Sequence, residues 1–152
     1  MNRDDALARV RGARVGRLAT VAPQGKPHVV PFVFALIERR SEVRVYWVVD
    51  RKPKRTTDLR RLRNLERNAA VEFVVDAYDE DWSTLWWVRC SGSARVVTDD
   101  AERRDALDAL RAKYEQYVLE PPDGPVVAID VETVTGWAAD EAPSPGDGAP
   151  GR

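Results

Sequence analysis

Between Val15 and Asp50 the chain reads "VGRLATVA-PQGK-PHVVPFVFALIE-RRSE-VRVYWVVD", three runs rich in β-branched and aromatic residues joined by four-residue turns. Connections this short hold no crossover helix, so the strands they join must be antiparallel. Pro23 presets φ in the first turn and Gly25 tolerates φ > 0. The reading for residues 15–49 is a three-stranded meander. Three further β-rich runs follow: "AAVEFVVD", "TLWWVRCSGSARVV" and "VVAIDVETVTGWA". Six antiparallel strands in 152 residues make a small β-barrel the natural solution. Its strands must close on themselves or pair across a dimer to protect their edges. The expected class is mainly β (α+β), a six-stranded antiparallel barrel with two to three flanking helices.

Helix signals lie between the strands. Asn2 caps a short first helix with Asp4 and Asp5 in its first turn. Thr56 or Thr57 caps a second, running to about Arg67, with Leu59, Leu62 and Leu65 as its apolar stripe. A third starts at Asp99, where Glu102 three residues on reads as a capping box. Its buried stripe is Leu107, Leu110, Tyr114 and Tyr117. The length fits one domain, residues 1–137, and the Pro/Gly-rich remainder 138–152 is expected to be disordered. No apolar run reaches the ~20 residues of a membrane span. The N-terminus does not read as a signal peptide, and one cysteine excludes an internal disulfide, so a cytoplasmic setting is expected.

Charge is unevenly distributed. The chain carries a net −1, yet eight of its 24 Lys and Arg fall between Arg51 and Arg67, offset there only by Asp58 and Glu66. That segment is +6 and the rest is −7. Arg51–Arg55, the densest part, leads into a helix start whose free N–H groups and dipole favour an anion, and phosphate suits such a place. Arg60, Arg63 and Arg67 share one helix face. A solvated basic helix is the plainer reading. A nucleic-acid surface is a third, opposed by a pI of about 5.9 and by the confinement of the charge to one loop and helix.

In the run 84–97, alternation puts Trp86, Val88, Cys90, Ala94 and Val96 on the core face and Leu85, Trp87, Arg89, Ser91 and Ser93 on the other. The second face suits a dimer interface or a flat anionic ligand, and equally a solvated surface. Cys90 reads as a buried, inert thiol. His28, the only histidine, has no carboxylate or nucleophile beside it in sequence and reads as a packing residue.

The ordered set "GRLATVAPQGKPHVVPFVFAL", "VYWVVDRKPKR", "LRRLRNLERNAAVEFVVDAYDEDW" and "LWWVRCSGSARVV" resembles the pyridoxamine-5'-phosphate-oxidase-like flavin/deazaflavin oxidoreductases. More narrowly it resembles their actinobacterial coenzyme F420-dependent branch, over about residues 13–137. The resemblance implies a split-barrel homodimer with two cofactor sites at the subunit interface and a small-molecule substrate. It implies that Leu18, Ala19, Thr20, Val30, Pro31 and Phe32 lie along the cofactor ring, partly through backbone groups. Lys52, Lys54, Arg55, Arg60 and Arg61, with the helix start at Thr56, would hold the phosphate. Trp87 and Arg89 would come from the partner or line the rim. F420 is the expected cofactor and FMN the alternative, because the cations exceed what one phosphate needs and F420 adds a polycarboxylate tail. The implied activity is hydride transfer to an electron-poor acceptor such as an enone, quinone or tetrapyrrole-like compound; a non-catalytic cofactor carrier is the other outcome. The resemblance does not extend to vitamin B6 oxidation, which uses a C-terminal arginine–histidine pair that this chain lacks.

Overall fold

The computed structural model describes residues 1–49 and 56–141; the side chains of 56–61, the basic loop 50–55 and the tail from residue 142 lie outside the described residues. The expectations placed on Lys52, Lys54, Arg55 and the tail from residue 142 therefore lie there too, but residues 138–141, expected to belong to that disordered tail, are ordered: Ala138 is buried at the end of the last strand and Ala139–Glu141 form a 3-10 turn. Seven strands form one antiparallel sheet: β1 (Gly16–Val21), β2 (Pro27–Phe32), β3 (Ala35–Arg39), β4 (Glu42–Val48), β5 (Ala70–Ala77), β6 (Trp86–Val96) and β7 (Val126–Ala138). Four helices accompany them: α1 (Arg3–Gly12), α2 (Thr56–Arg67), α3 (Asp100–Lys113) and the single turn α4 (Gln116–Leu119). α4 lies beyond the two or three helices expected.

The strand order is β2-β1-β5-β6-β7-β4-β3. The seventh strand arises because "PHVVPFVFALIE" breaks at Val33–Phe34 into β2 and β3. The expected meander is corrected accordingly: β1 pairs β2 and β3 pairs β4, but β2 and β3 do not pair. They form the two edges of the sheet while being neighbours in sequence. Two residues cannot span a flat seven-strand sheet, roughly 29 Å across at ~4.8 Å per strand spacing. The sheet must curl until its edges meet, giving a barrel split along one seam.

Tyr114 satisfies the backbone at the seam. Its hydroxyl accepts from Phe34 N–H at 3.1 Å and stands 2.8 Å from the Arg14 carbonyl and 3.0 Å from that of Phe34, toward which it donates. Phe34 is fully buried, stacked on Phe32 with ring centroids 4.9 Å apart and set against Phe73 at 5.7 Å. Gly16 faces this cluster, and a Cβ there would stand 2.7 Å from the Phe32 ring. Lys113 lays its Nζ 4.1 Å from the Phe34 ring centre, with no hydrogen-bond partner among the described residues.

The helices close what the sheet leaves open. Asn2 caps α1 by accepting from Asp5 N–H at 2.8 Å, and α1 buries Ala6, Leu7 and Val10. α2 sends Leu62 and Leu65 into the same core from the end where β5 begins. α3 covers the outer side of β3, β4 and the first half of β7, packing Ala106 and Leu107 on Tyr46, Val126 and Ala128. Asp99 caps α3 by accepting from Glu102 N–H at 2.9 Å. The Glu102 carboxylate binds Arg95 through two bonds, 2.6 and 3.2 Å, and Arg95 also reaches Asp130 at 2.9 Å. Burial would raise the Asp130 pKa, but hydrogen bonds from Arg95 and Arg44 hold it below the ordinary range.

Two outcomes follow for the seam. Tyr114→Phe leaves the buried Phe34 N–H unpaired and should cost about 1–3 kcal/mol. Denaturant unfolding checks this; unchanged stability would remove the seam's assigned latch. The second outcome concerns pH. Burial lowers the Lys113 pKa to about 8, with the nearby Arg14 charge adding to the effect. The unfolded lysine, with its ordinary value near 10.4, then holds more protons than the folded one between about pH 8 and 10.4, so stability should rise with pH across that window. Below pH 8 the buried charge is present in full. Subtracting the pH–stability profile of Lys113→Met from that of the native chain isolates this slope; a flat difference would contradict it.

Candidate cofactor site

The curled sheet has an inner wall and an outer face, and strand alternation assigns each residue to one of them. Inward go Leu18 and Thr20 of β1, Phe32 of β2, Val71, Phe73 and Val75 of β5, and Val88, Cys90 and Ala94 of β6. Outward, cross-strand register lines up Pro31, Arg17, Val74, Arg89 and Thr135 in one row. Val29, Ala19, Glu72, Ser91 and Thr133 form the next, and Asp76, Trp87 and Trp137 a third. α3 covers the other half of this face; no element among the described residues covers this half. Val29 is 61% exposed and Trp137 38%.

The bare face is chemically mixed. The Arg89 guanidinium lies 5.9 Å from the Trp87 ring centre. Arg17 reaches Asp76 at 3.5 Å, and the hydroxyls of Ser91 and Thr133 bond to each other. Beside that bond the register shifts, with Gly92 opposite Val131, so that Glu132 is an extra residue in β7. A Cβ on Gly92 would overlap the Asp130 carbonyl oxygen, which fixes glycine at the bulge.

The structure sorts the residues expected around the ring. Leu18, Thr20 and Phe32 have interior side chains, and Val30 is half-buried. Ala19 and Pro31 face outward, half-buried and exposed respectively. Arg60 and Arg61 lie on α2, and Thr56 is its first residue. α2 rests against the inward-facing Thr20, whereas Trp87 and Arg89 sit on the outer face of β6, two strands away. Among the described residues, α2 and these two side chains thus lie on opposite faces of the sheet.

Two details differ from the alternation read in β6. Val96 keeps its row but is 43% exposed at the barrel mouth, and Val97 is the buried residue, under α3. Leu85 is buried at the hairpin end rather than lying on the open face. Trp86 packs against the core as the alternation has it, half-buried beneath the Arg9 guanidinium, 5.0 Å away. Cys90 is 1% exposed, and burial pushes its thiol up to about 12, so it stays neutral. His28 has a buried Nδ1 with no hydrogen-bond partner among the described residues, on the strand position opposite Thr20.

Sequence reading missed Asn64. It is 1% exposed on α2, and its Nδ2 donates to Thr20 Oγ1 at 3.3 Å. The available signal was its place beside Leu65, as an uncharged polar residue inside a run of arginines. Arg63 and Arg67 are exposed, as the shared polar face requires.

A phosphate-bearing, flat-ringed cofactor fits this donor set. Cationic residues lead into a helix N-terminus, and beside that helix stands a strand pair with a small outward residue, Ala19, and a flat one, Pro31.

Comparison with known proteins places the chain. It is 39% identical over 97 residues to a 5a,11a-dehydrotetracycline/5a,11a-dehydrooxytetracycline reductase from Streptomyces rimosus, a match covering 62% of this chain and 64% of that protein. The chain thus spans less than two thirds of that relative's length. In fold it is similar to a conserved hypothetical protein from Mycobacterium tuberculosis, with TM-score 0.74 and 21% identity over 99% of this chain and 93% of the other. It is also similar to the FAD binding protein from Mycobacterium smegmatis, with TM-score 0.60 and 21% identity over 90% and 95% of the two chains. The family model of pyridoxamine 5'-phosphate oxidase matches residues 3–138, and with a match that spans the whole barrel the chain belongs to that family.

Proposed function

We propose that the chain is an oxidoreductase that holds coenzyme F420, with FMN as the alternative, and acts on a small electron-poor acceptor such as an enone, quinone or tetrapyrrole-like compound. One observation carries the reading: the +6 segment 51–67 leads into and forms the helix packed against β1, one of the two strands whose motif the family sets along the cofactor ring. Likeness to a reductase supports reduction of the acceptor, and likeness in fold to an FAD binding protein supports a flavin-type ring.

The chain's part is binding, orientation and exclusion of water. Lys52, Lys54, Arg55 and the helix start at Thr56 hold the phosphate. Ala19 and Pro31 flank the ring, and Leu18, Thr20, Val30 and Phe32 contribute backbone groups. Arg60, Arg61, Arg63 and Arg67 exceed the needs of a single phosphate and suit a tail of carboxylates. Trp87 and Arg89 complete the site from a second copy, because one protomer sets them apart from α2. A homodimer would also cover Trp137 and Val29 on the bare face. When bound, the cofactor supplies the hydride-transfer chemistry. Cys90, a neutral buried thiol, takes no part.

Fluorescence titration of both cofactors at low and high salt tests the reading. Lys54→Ala should weaken binding by about tenfold or more, since a charge-assisted bond is worth roughly 1.5–3 kcal/mol. F420 affinity should fall more steeply with salt than FMN affinity, as exposed pairs are screened most. Equal slopes, or tighter FMN binding throughout, would pass the assignment to FMN. Binding of neither cofactor would overturn it. Sedimentation equilibrium at micromolar concentration should show a dimer; a monomer would remove the two-copy site.

A further inference from the structure

Thr20 and Asn64 are the polar side chains buried to 1% exposure among the described residues, and they bond to each other. Their surroundings are apolar. Leu18 is fully buried two residues along β1, and Leu65 follows Asn64 into the core. A leucine at 64 would widen the stripe formed by Leu62 and Leu65 and would avoid desolvating an amide. The chain instead keeps a contact that depends on direction.

Direction is what apolar packing does not supply. Leucine side chains alone allow a helix to slide or roll on a sheet at small cost, whereas an N–H···O bond weakens steeply with misalignment. The Asn64–Thr20 bond sets both the height of α2 along β1 and its rotation. The helix exit is fixed as well: Asn68 N–H donates to Asn64 O at 2.8 Å, and Asn68 Oδ1 accepts from Ala70 N–H at 3.0 Å, where β5 begins. α2 is therefore referenced to two adjacent strands, β1 and β5.

Ala19, next to Thr20, faces the opposite side of β1, while Arg60, Arg61 and Arg63 lie within one helical turn before Asn64. We propose that the Asn64–Thr20 bond is a positioning contact that holds the anion-binding helix in register with the ring-side strand, so that the two halves of the cofactor site form one site. The proposal rests on the reading that α2 holds the cofactor's phosphate end. With its hydroxyl committed to Asn64 and its side chain buried, Thr20 serves the site through α2, not through a side-chain contact to the ligand.

Near-isosteric variants test it: Thr20→Val, Asn64→Leu, the two combined, and Thr20→Ser as the conservative exchange. FMN and F420 affinities, thermal midpoints and amide hydrogen exchange of α2 and β6 are measured for each. Each apolar single variant should weaken cofactor binding about tenfold, the equivalent of one lost hydrogen bond. The double variant should regain the thermal midpoint, because no polar group is left unpaired, yet keep the weakened affinity. Its α2 amides should exchange about tenfold faster while those of β6 stay unchanged. Thr20→Ser should bind as the native chain does. Affinity that simply tracks the thermal midpoint across the series, or unchanged α2 exchange in the folded double variant, overturns the positioning role. If the native chain binds neither FMN nor F420, the cofactor reading fails by itself, and α2 exchange alone decides whether the contact positions the helix.

Discussion

The Tyr114 hydroxyl meets a demand created by the seam between Val33 and Phe34. When a strand breaks in a core, its backbone N–H and C=O groups lose their ladder partners and must find others. Tyr114 meets the N–H and carbonyl of Phe34, eighty positions away, and the carbonyl of Arg14, a hundred positions away. With those groups satisfied, consecutive strands can serve as opposite edges of a single sheet. The rest of the architecture depends on that: the curl, the aromatic cluster of Phe32, Phe34 and Phe73, and the division into an inner wall and an outer face.

That division sorts the side chains. α3 covers one half of the outer face and fills it with Tyr46, Val126 and Ala128. The other half carries tryptophans, arginines and hydroxyls in cross-strand rows. α2 approaches β1 from the inner side, at the end where β5 begins. No helix among the described residues is long and apolar enough to cross a membrane.

Much of this was legible in the sequence because it is local. Alternation gave the open and core faces of β6, turn chemistry gave the 23–25 and 40–41 reversals, and Asn2 and Asp99 marked two helix starts that the structure bears out. Family membership was legible in the ordered motifs. What escaped was non-local. "PFVFALIE" holds no glycine at the break, its only proline precedes it, and both halves favour strand, so nothing nearby announces a partner at Tyr114, just past the end of α3. Glu102 satisfied the capping-box pattern, yet its carboxylate takes the stronger bidentate bond to Arg95. The bulge at Glu132 depends on backbone crowding at Gly92. Asn64 was hidden by its arginine neighbours, since a polar residue in a polar run carries no periodic signal.

The last strand in sequence lies inside the sheet, between β6 and β4. Before β7 is made, the chain holds two unconnected pieces, β2-β1-β5-β6 and β4-β3, each with a raw edge facing the gap. A polypeptide growing on the ribosome would carry both edges exposed until about residue 138 has emerged, so the pairings of β4 and β6 with β7 must wait until then. β7 works as a keystone: damage to it divides the barrel into two hairpin-built fragments instead of trimming one side.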